Sequence, residues 1–210
     1  MKVFLTAGVA IILAGCVQSQ SPHTSHQQTT IKPVAQLADN PWQVGETKSY
    51  ETAIGVTSVV RKGKTPSGST YSFYSDGSGS LTNGAASWSF SCKTDKINDQ
   101  KKCEITNRHA DLFINYGSSP SPRWICSLQH DFPGRTGAIR VDSNPAMTTD
   151  TDGCVSGNRI SQLVSGNSIT IRSVKWPYDY DRDSTGPLTG LKDAMDLVSY
   201  IRSNISKISF

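Results

Sequence analysis

From Trp42 onward, apolar and polar residues alternate with a period of two, which predicts half-buried β-strands. Tyr50, Thr52, Ile54, Val56 and Val60 share one parity, and Tyr71 with Phe73 makes a second, short run. Trp88, Phe90 and Cys92 alternate with Ser87, Ser89 and Ser91, and Cys103 and Ile105 alternate with Glu104 and Thr106. Leu112-Ile114-Tyr116, Trp124-Cys126-Leu128 and Ile139-Val141 follow, with Trp124 placed in the core by its parity. The last run is Ile169 and Ile171, then Val174 and Trp176; its change of parity predicts a β-bulge at Arg172-Ser173. Between the runs stand GKTPSGS, DGSGS, TNGA, GSSPSPR and FPGRTG. These are turn segments, because Gly and Asn accept positive φ and Pro fixes it. Many short strands with no strand–helix alternation predict an antiparallel sandwich or barrel, and disfavour a doubly wound parallel sheet.

One segment has a helical period instead. Leu191, Ala194, Met195, Val198 and Ile201 recur on one face, which predicts a C-terminal helix packed on the sheets. Thr189 is the expected N-cap, Asp193 and Asp196 lie near the positive end, and Pro187 favours a sharp approach. Residues 159–166 predict a short second helix or a strand.

The first 41 residues have neither period. Lys2 is followed by an apolar stretch, Val3 to Leu13, too short to span a bilayer comfortably. It ends in Leu13-Ala14-Gly15-Cys16, which resembles the lipobox of bacterial lipoproteins. The resemblance implies a signal peptide over 1–15, cleavage before Cys16, a diacylglycerol thioether on its sulfur and an acylated amine. Several acyl chains anchor stably where a single one gives only marginal binding, at ~0.8 kcal/mol per buried CH₂. Val17 after the cysteine resembles the outer-membrane sorting signal of Gram-negative lipoproteins. Lipidated Cys16 and residues up to 41 read as a tether: Ser, Gln, Thr and Pro dominate, and too little apolar surface exists to offset the entropy of ordering. As a random coil such a segment reaches about 25–30 Å. His23 and His26 lie in it, a poor metal site in a polar coil. Residues 42–210 then form one domain.

The chain of 210 residues carries 21 Lys+Arg against 17 Asp+Glu, a net charge of +4 that becomes +3 when Lys2 is removed. The charges are dispersed, which argues against a nucleic-acid binder. Five cysteines are an odd number; with Cys16 lipidated, Cys92, Cys103, Cys126 and Cys154 remain. An even number in an oxidising compartment predicts disulfides, and four cysteines allow three pairings. Placing Cys92 opposite Cys103 in an antiparallel hairpin also puts Phe90 opposite Ile105, so the apolar registers agree. Cys126 and Cys154 pair by elimination. Zinc is the rival, but no C-x-x-C and no His at ligand spacing accompanies these residues.

From Trp88 to the C-terminus the sequence resembles the invasion-associated locus B family of exported bacterial proteins. The matching pieces are W-S-F-S-C with K-C-E-I, Arg140-Val141-Asp142, Gly153-Cys154-Val155, Leu163-Val164-Ser165-Gly166 and Gly190-Leu191-x-x-Ala194. Two departures stand out. The family's third cysteine falls where this chain has Thr148, Thr149 and Asp150, and Pro187 stands where a Ser is usual. The resemblance implies an immunoglobulin-like β-sandwich and an envelope protein linked to host-cell invasion. It carries over no catalytic residue.

Other chemistry is sparse. Asp179, Asp181 and Asp183 alternate before Ser184-Thr185-Gly186, a weak candidate for Ca²⁺. The EF-hand pattern fails, since Ser184 stands at its Gly position and Gly190 at its final Glu; a polar loop feeding the helix is expected. His109 and the adjacent His130-Asp131 lack a G-x-S-x-G nucleophile, and neighbours on a strand cannot form a relay. Trp176, Tyr178 and Tyr180 are placed for exposure. Together with these resemblances, the residues point to a non-enzymatic binding or accessory module without cofactor, lipid-anchored to the outer membrane and facing the periplasm or exposed at the cell surface, whose partner is an envelope or host protein. A periplasmic hydrolase is the alternative. An inhibitor of a lysozyme-like enzyme is a third reading, though a +3 domain offers such basic enzymes no attraction.

Overall fold

The computed structural model describes residues 47–51 and 57–204. The expected signal peptide, lipidation at Cys16 and tether fall outside the described residues. Strands β1 (Thr47–Glu51), β2 (Thr57–Lys64), β3 (Thr70–Tyr74), β4 (Ser78–Asn83), β5 (Ala86–Thr94), β6 (Lys101–Asn107), β7 (Leu112–Gly117) and β8 (Trp124–Ser127) pair in chain order. The short β11 (Cys154–Ser156) completes this nine-stranded antiparallel sheet beside β8. A second sheet has the order β10 (Met147–Thr148), β9 (Ala138–Val141), β12 (Ser168–Lys175), β13 (Tyr178–Pro187). Helix α1 (Ile160–Ser165) precedes β12, and α2 (Leu191–Asn204) ends the described chain. The fold is mainly β: two antiparallel sheets share one core with a C-terminal helix. Immunoglobulin domains use Greek-key connections; here β1 to β8 run as a meander, and only the step from β8 to β11 skips strands of the other sheet.

The alternating runs become the strands that carry the core. Trp88, Phe90 and Cys92 on β5 and Leu112, Ile114 and Tyr116 on β7 are buried, while the residues between them face outward or are half-buried. Ile139, Val141, Ile169 and Ile171 bring the second sheet into the same cluster. Leu191, Ala194, Leu197, Val198 and Ile201 of α2 close it over β5 and β6. Gly190, not Thr189, directly precedes that helix, and its carbonyl accepts from Ala194 N at 2.9 Å. In the first turn of α2, Asp193 Oδ2 accepts hydroxyl bonds from Thr65 at 2.9 Å and from Ser67 and Ser69, so the β2–β3 turn is tied to the helix.

Several expectations are corrected. The single run from Tyr50 to Val60 is a hairpin, with Glu51 of β1 opposite Thr57 of β2. The segment SGSLTN, most of which falls within the expected turns DGSGS and TNGA, is strand β4. Its only large apolar residue is Leu81, so alternation could not reveal it. Gly79 is required there, because the Phe90 ring lies 2.5 Å from where its Cβ would stand. The bulge falls between Val174 and Lys175 rather than at Arg172-Ser173. Ser173 and Val174 are both buried, and the backbone of Val174 is held by a neighbouring loop described below. Trp124 is 45% exposed and Leu128 41%, not core. On β8 the inward residue is Ile125, fully buried, so Trp124 and Cys126 share the opposite face, where a disulfide covers Cys126.

The structure joins Cys92 to Cys103 and Cys126 to Cys154. Both pairs stand directly opposite one another across antiparallel strands, with Cα separations of 4.1 and 4.0 Å. Phe90 is opposite Ile105, the register that the apolar pattern required.

Candidate functional site

The D-Y-D-R-D segment is not a loop. It forms the first half of β13, which pairs with β12 through the two-residue turn Trp176-Pro177. Strand β9 supports β12 only from Ile169 to Arg172, so from Ser173 to Arg182 the hairpin has no third strand. This is why Tyr178 through Asp183 are all exposed. Alternation along the strand sends the three aspartates to one side and Tyr178, Tyr180 and Arg182 to the other.

Two arginines neutralise the acidic side. Arg172 makes a bidentate pair with Asp183, both bonds 2.8 Å, and reaches Asp181 at 3.3 Å. Arg135 bonds Asp179 and lies 3.5 Å from Asp181. The hydrogen bond from Arg172 holds the Asp183 carboxyl below its usual range. The weak Ca²⁺ candidates are therefore ion-paired along a strand rather than gathered around one point. Among the described residues, no cluster of His, Cys, Asp and Glu is arranged for a metal.

The aromatic side is open. Trp176, Tyr178 and Tyr180 are 60%, 61% and 61% exposed. The Tyr178 and Tyr180 rings lie 6.0 Å apart, and Phe132 packs against Trp176 at 5.4 Å. Phe132 and Arg135 come from the loop between β8 and β9, which sequence reading treated only as a turn. That loop is tied to the hairpin by its backbone. Asp131 N and Phe132 N both donate to Val174 O, at 3.2 and 3.1 Å, and Asp131 Oδ1 accepts from Trp176 N at 2.7 Å.

His130 anchors the loop from below. It is 8% exposed; its Nδ1 accepts from Val174 N and its Nε2 faces Arg135 O, each at 3.1 Å. Accepting at Nδ1 leaves Nε2 as the donor, the tautomer these partners select. Gly153, at φ +73°, lies against the ring: a Cβ there would stand 2.5 Å from His130 Cβ. Both ring nitrogens and Asp131 are thus committed to holding the hairpin, and His109 is exposed elsewhere, on the β6–β7 turn. His130 and Asp131 lie in a loop between strands, and their side chains bond separate partners.

Among the described residues, Asp111 is the carboxyl that is pushed upward rather than down. It sits at φ +57° in the β6–β7 turn, 1% exposed, and its Oδ2 accepts from Ser127 Oγ at 2.6 Å. Its Oδ1 has no hydrogen-bond partner, and burial pushes the carboxyl above its usual range. A raised value means the folded state prefers the protonated acid. Ionisation therefore costs stability, and that cost grows as pH rises from the ordinary carboxylate range to the folded-state value. Asp111→Asn keeps a side chain that tolerates positive φ and removes the buried charge. Its Tm is expected to exceed the wild type's at neutral pH, with the gain vanishing in acid. Equal melting temperatures at neutral pH would refute this account of Asp111.

Against this geometry the comparisons with known proteins are silent. No family model matches the chain, and neither a curated protein nor a solved structure matches it.

Proposed function

We propose that the protein is an outer-membrane lipoprotein, anchored through Cys16, whose folded part is a non-enzymatic binding module docking an envelope or host protein. The observation that carries the reading is the aromatic end of the β12–β13 hairpin. Three large rings stand more than half exposed on a segment braced by two arginine–aspartate clusters and by the His130 loop. Exposed aromatics on a rigid support are what protein interfaces use as anchors, because they cover large areas at low entropic cost. The lipobox-like N-terminus and the two disulfides support an envelope location. The pieces that resemble the invasion-associated locus B family support the same compartment and a role at the host boundary. Catalysis would need an unengaged base beside a nucleophile, whereas His130 and Ser127 both hold structural bonds.

The test is crosslinking of the full chain in fractionated envelopes, wild type against Trp176→Ser/Tyr178→Ser/Tyr180→Ser. Wild type is expected in the outer-membrane fraction with a discrete adduct. The triple variant, at unchanged Tm, should lose about tenfold or more of that adduct, as removal of interface anchors does. The same adduct from both proteins, or none from wild type, would overturn the reading.

A further inference from the structure

A second surface shares no residue with the hairpin. Between β8, β10, β11 and α1 lies an open cleft of about 700 Å³, within the size range of small-ligand sites. One wall is Trp124, whose ring is nearly half exposed for the reason given above: Ile125 takes the core side of β8. Trp124 is opposite Ser156 on β11, and the neighbouring pair is the Cys126–Cys154 disulfide. The indole is therefore presented from a covalently stapled two-strand platform. Facing it are Asn158, Arg159 and Gln162, from the turn entering α1 and from α1 itself.

Arg135 and Arg172 are ion-paired and Arg182 bonds Gln129, but the side chains of Asn158, Arg159 and Gln162 have no hydrogen-bond partner among the described residues. The one carboxylate lining the cleft, Asp150, uses its Oδ1 to accept from the backbone N–H groups of Asp152 and Cys154 at 3.0 and 2.8 Å. Arg159 is left as the one cation of the cleft, with no anion paired to it among the described residues. A half-exposed indole beside two uncommitted carboxamides suits a sugar ring, with its apolar C–H face on the tryptophan and its hydroxyl and amide groups on the donors and acceptors. An unpaired guanidinium selects a carboxylate, which it can hold bidentately.

We propose that this cleft binds an acidic saccharide: a pyranose stacked on Trp124 with its carboxylate on Arg159 and its polar substituents on Asn158 and Gln162. The assignment goes beyond the protein-docking reading, because the cleft shares no residue with the hairpin and does not depend on it. Two sources carry this chemistry, the lactyl-bearing muramyl sugars of the cell wall and the uronic acids of host glycans.

The experiment is calorimetric titration of the full chain in detergent micelles with three probes. These are a muramyl-containing disaccharide, a glucuronate-containing tetrasaccharide and neutral N,N′-diacetylchitobiose. At least one acidic probe is expected to saturate, about tenfold more tightly than the neutral one, and the probe that does so names the source. Arg159→Gln, at an exposed position, should erase the preference for acid; Trp124→Ala should abolish binding of every probe. The hairpin triple variant should bind sugar as wild type does, so failure of the cleft and failure of the hairpin reading are separately visible. If neither acidic probe saturates, if the neutral sugar binds as well, or if Arg159→Gln leaves the preference intact, the proposal is overturned. The Arg159→Gln result decides it even where Trp124→Ala fails to fold.

Discussion

Trp88→Ala is expected to destabilise the domain by about 4 kcal/mol, lowering Tm by roughly 8–16 °C. Trp88 is fully buried at the middle of β5, opposite Leu81 of β4, where the sheet meets α2. Two losses combine. The indole leaves a cavity that its neighbours cannot close, because Leu81 opposite it on β4 and Phe90 next on its own strand are themselves held in the sheet. The indole N–H also donates to Thr189 O at 2.9 Å, just ahead of α2, and the substitution leaves that carbonyl without its partner. Trp88→Phe keeps most of the volume and loses the bond, so it should cost only about 1–2 kcal/mol. Urea unfolding followed by far-UV circular dichroism separates the two. A cost for Trp88→Ala no larger than that for Trp88→Phe would mean that the buried ring adds nothing beyond its hydrogen bond, contradicting the cavity account.

Removing the second disulfide is expected to have a comparable effect in a different place. The Cys126–Cys154 bond closes a separation of 28 residues, for which the chain-entropy relation gives about 3.5 kcal/mol. The native state is affected unevenly. Strand β11 has three residues and pairs only with β8, so without the bond it is a short, unsupported edge. In Cys126→Ala/Cys154→Ala, hydrogen exchange should show Cys154–Ser156 and their β8 partners losing protection first. The β5–β6 hairpin, with its own Cys92–Cys103 bond and a nine-residue strand, should keep it. Uniform loss of protection, or none, would contradict the local role given to this bond. The same variant should weaken the saccharide site, since Trp124 stands on the same platform.

How legible these features were depends on the element. The strands β5, β6 and β7 were readable because each carries apolar residues at every second position, Trp88-Phe90-Cys92, Cys103-Ile105 and Leu112-Ile114-Tyr116. The Cys92–Cys103 pair followed from that register alone. Helix α2 was readable from its stripe, apart from the residue at its start. Strand β4 was not, because Gly79 is there to admit the Phe90 ring, and that demand comes from a neighbouring strand. Nor was the first half of β13: its residues face solvent on both sides, so no alternation in burial exists to be read.

The two surfaces offered for binding were half visible. WPYDY and DYDRD drew attention as residues, and the exposure of the aromatics was expected. That the aspartates are cancelled by Arg135 and Arg172 was not, because Arg135 lies more than forty residues away and reaches Asp179 only through the His130 loop. Trp124 was misplaced for a simpler reason. Alternation says which residues share a face and is mute on which face is covered; β8 carries apolar side chains on both, and packing chose Ile125.

By itself the sequence determined the local choices: period-two strands, one amphipathic helix and the cysteine register. Those depend on neighbours within a few residues, where parity and turn chemistry act. The tertiary structure decided which face of each strand was buried, how far the β12–β13 hairpin projects past its last supporting strand, and which distant loop braces it. Those outcomes arise from contacts between segments far apart in the chain, where burial of apolar area and satisfaction of polar groups must be met together.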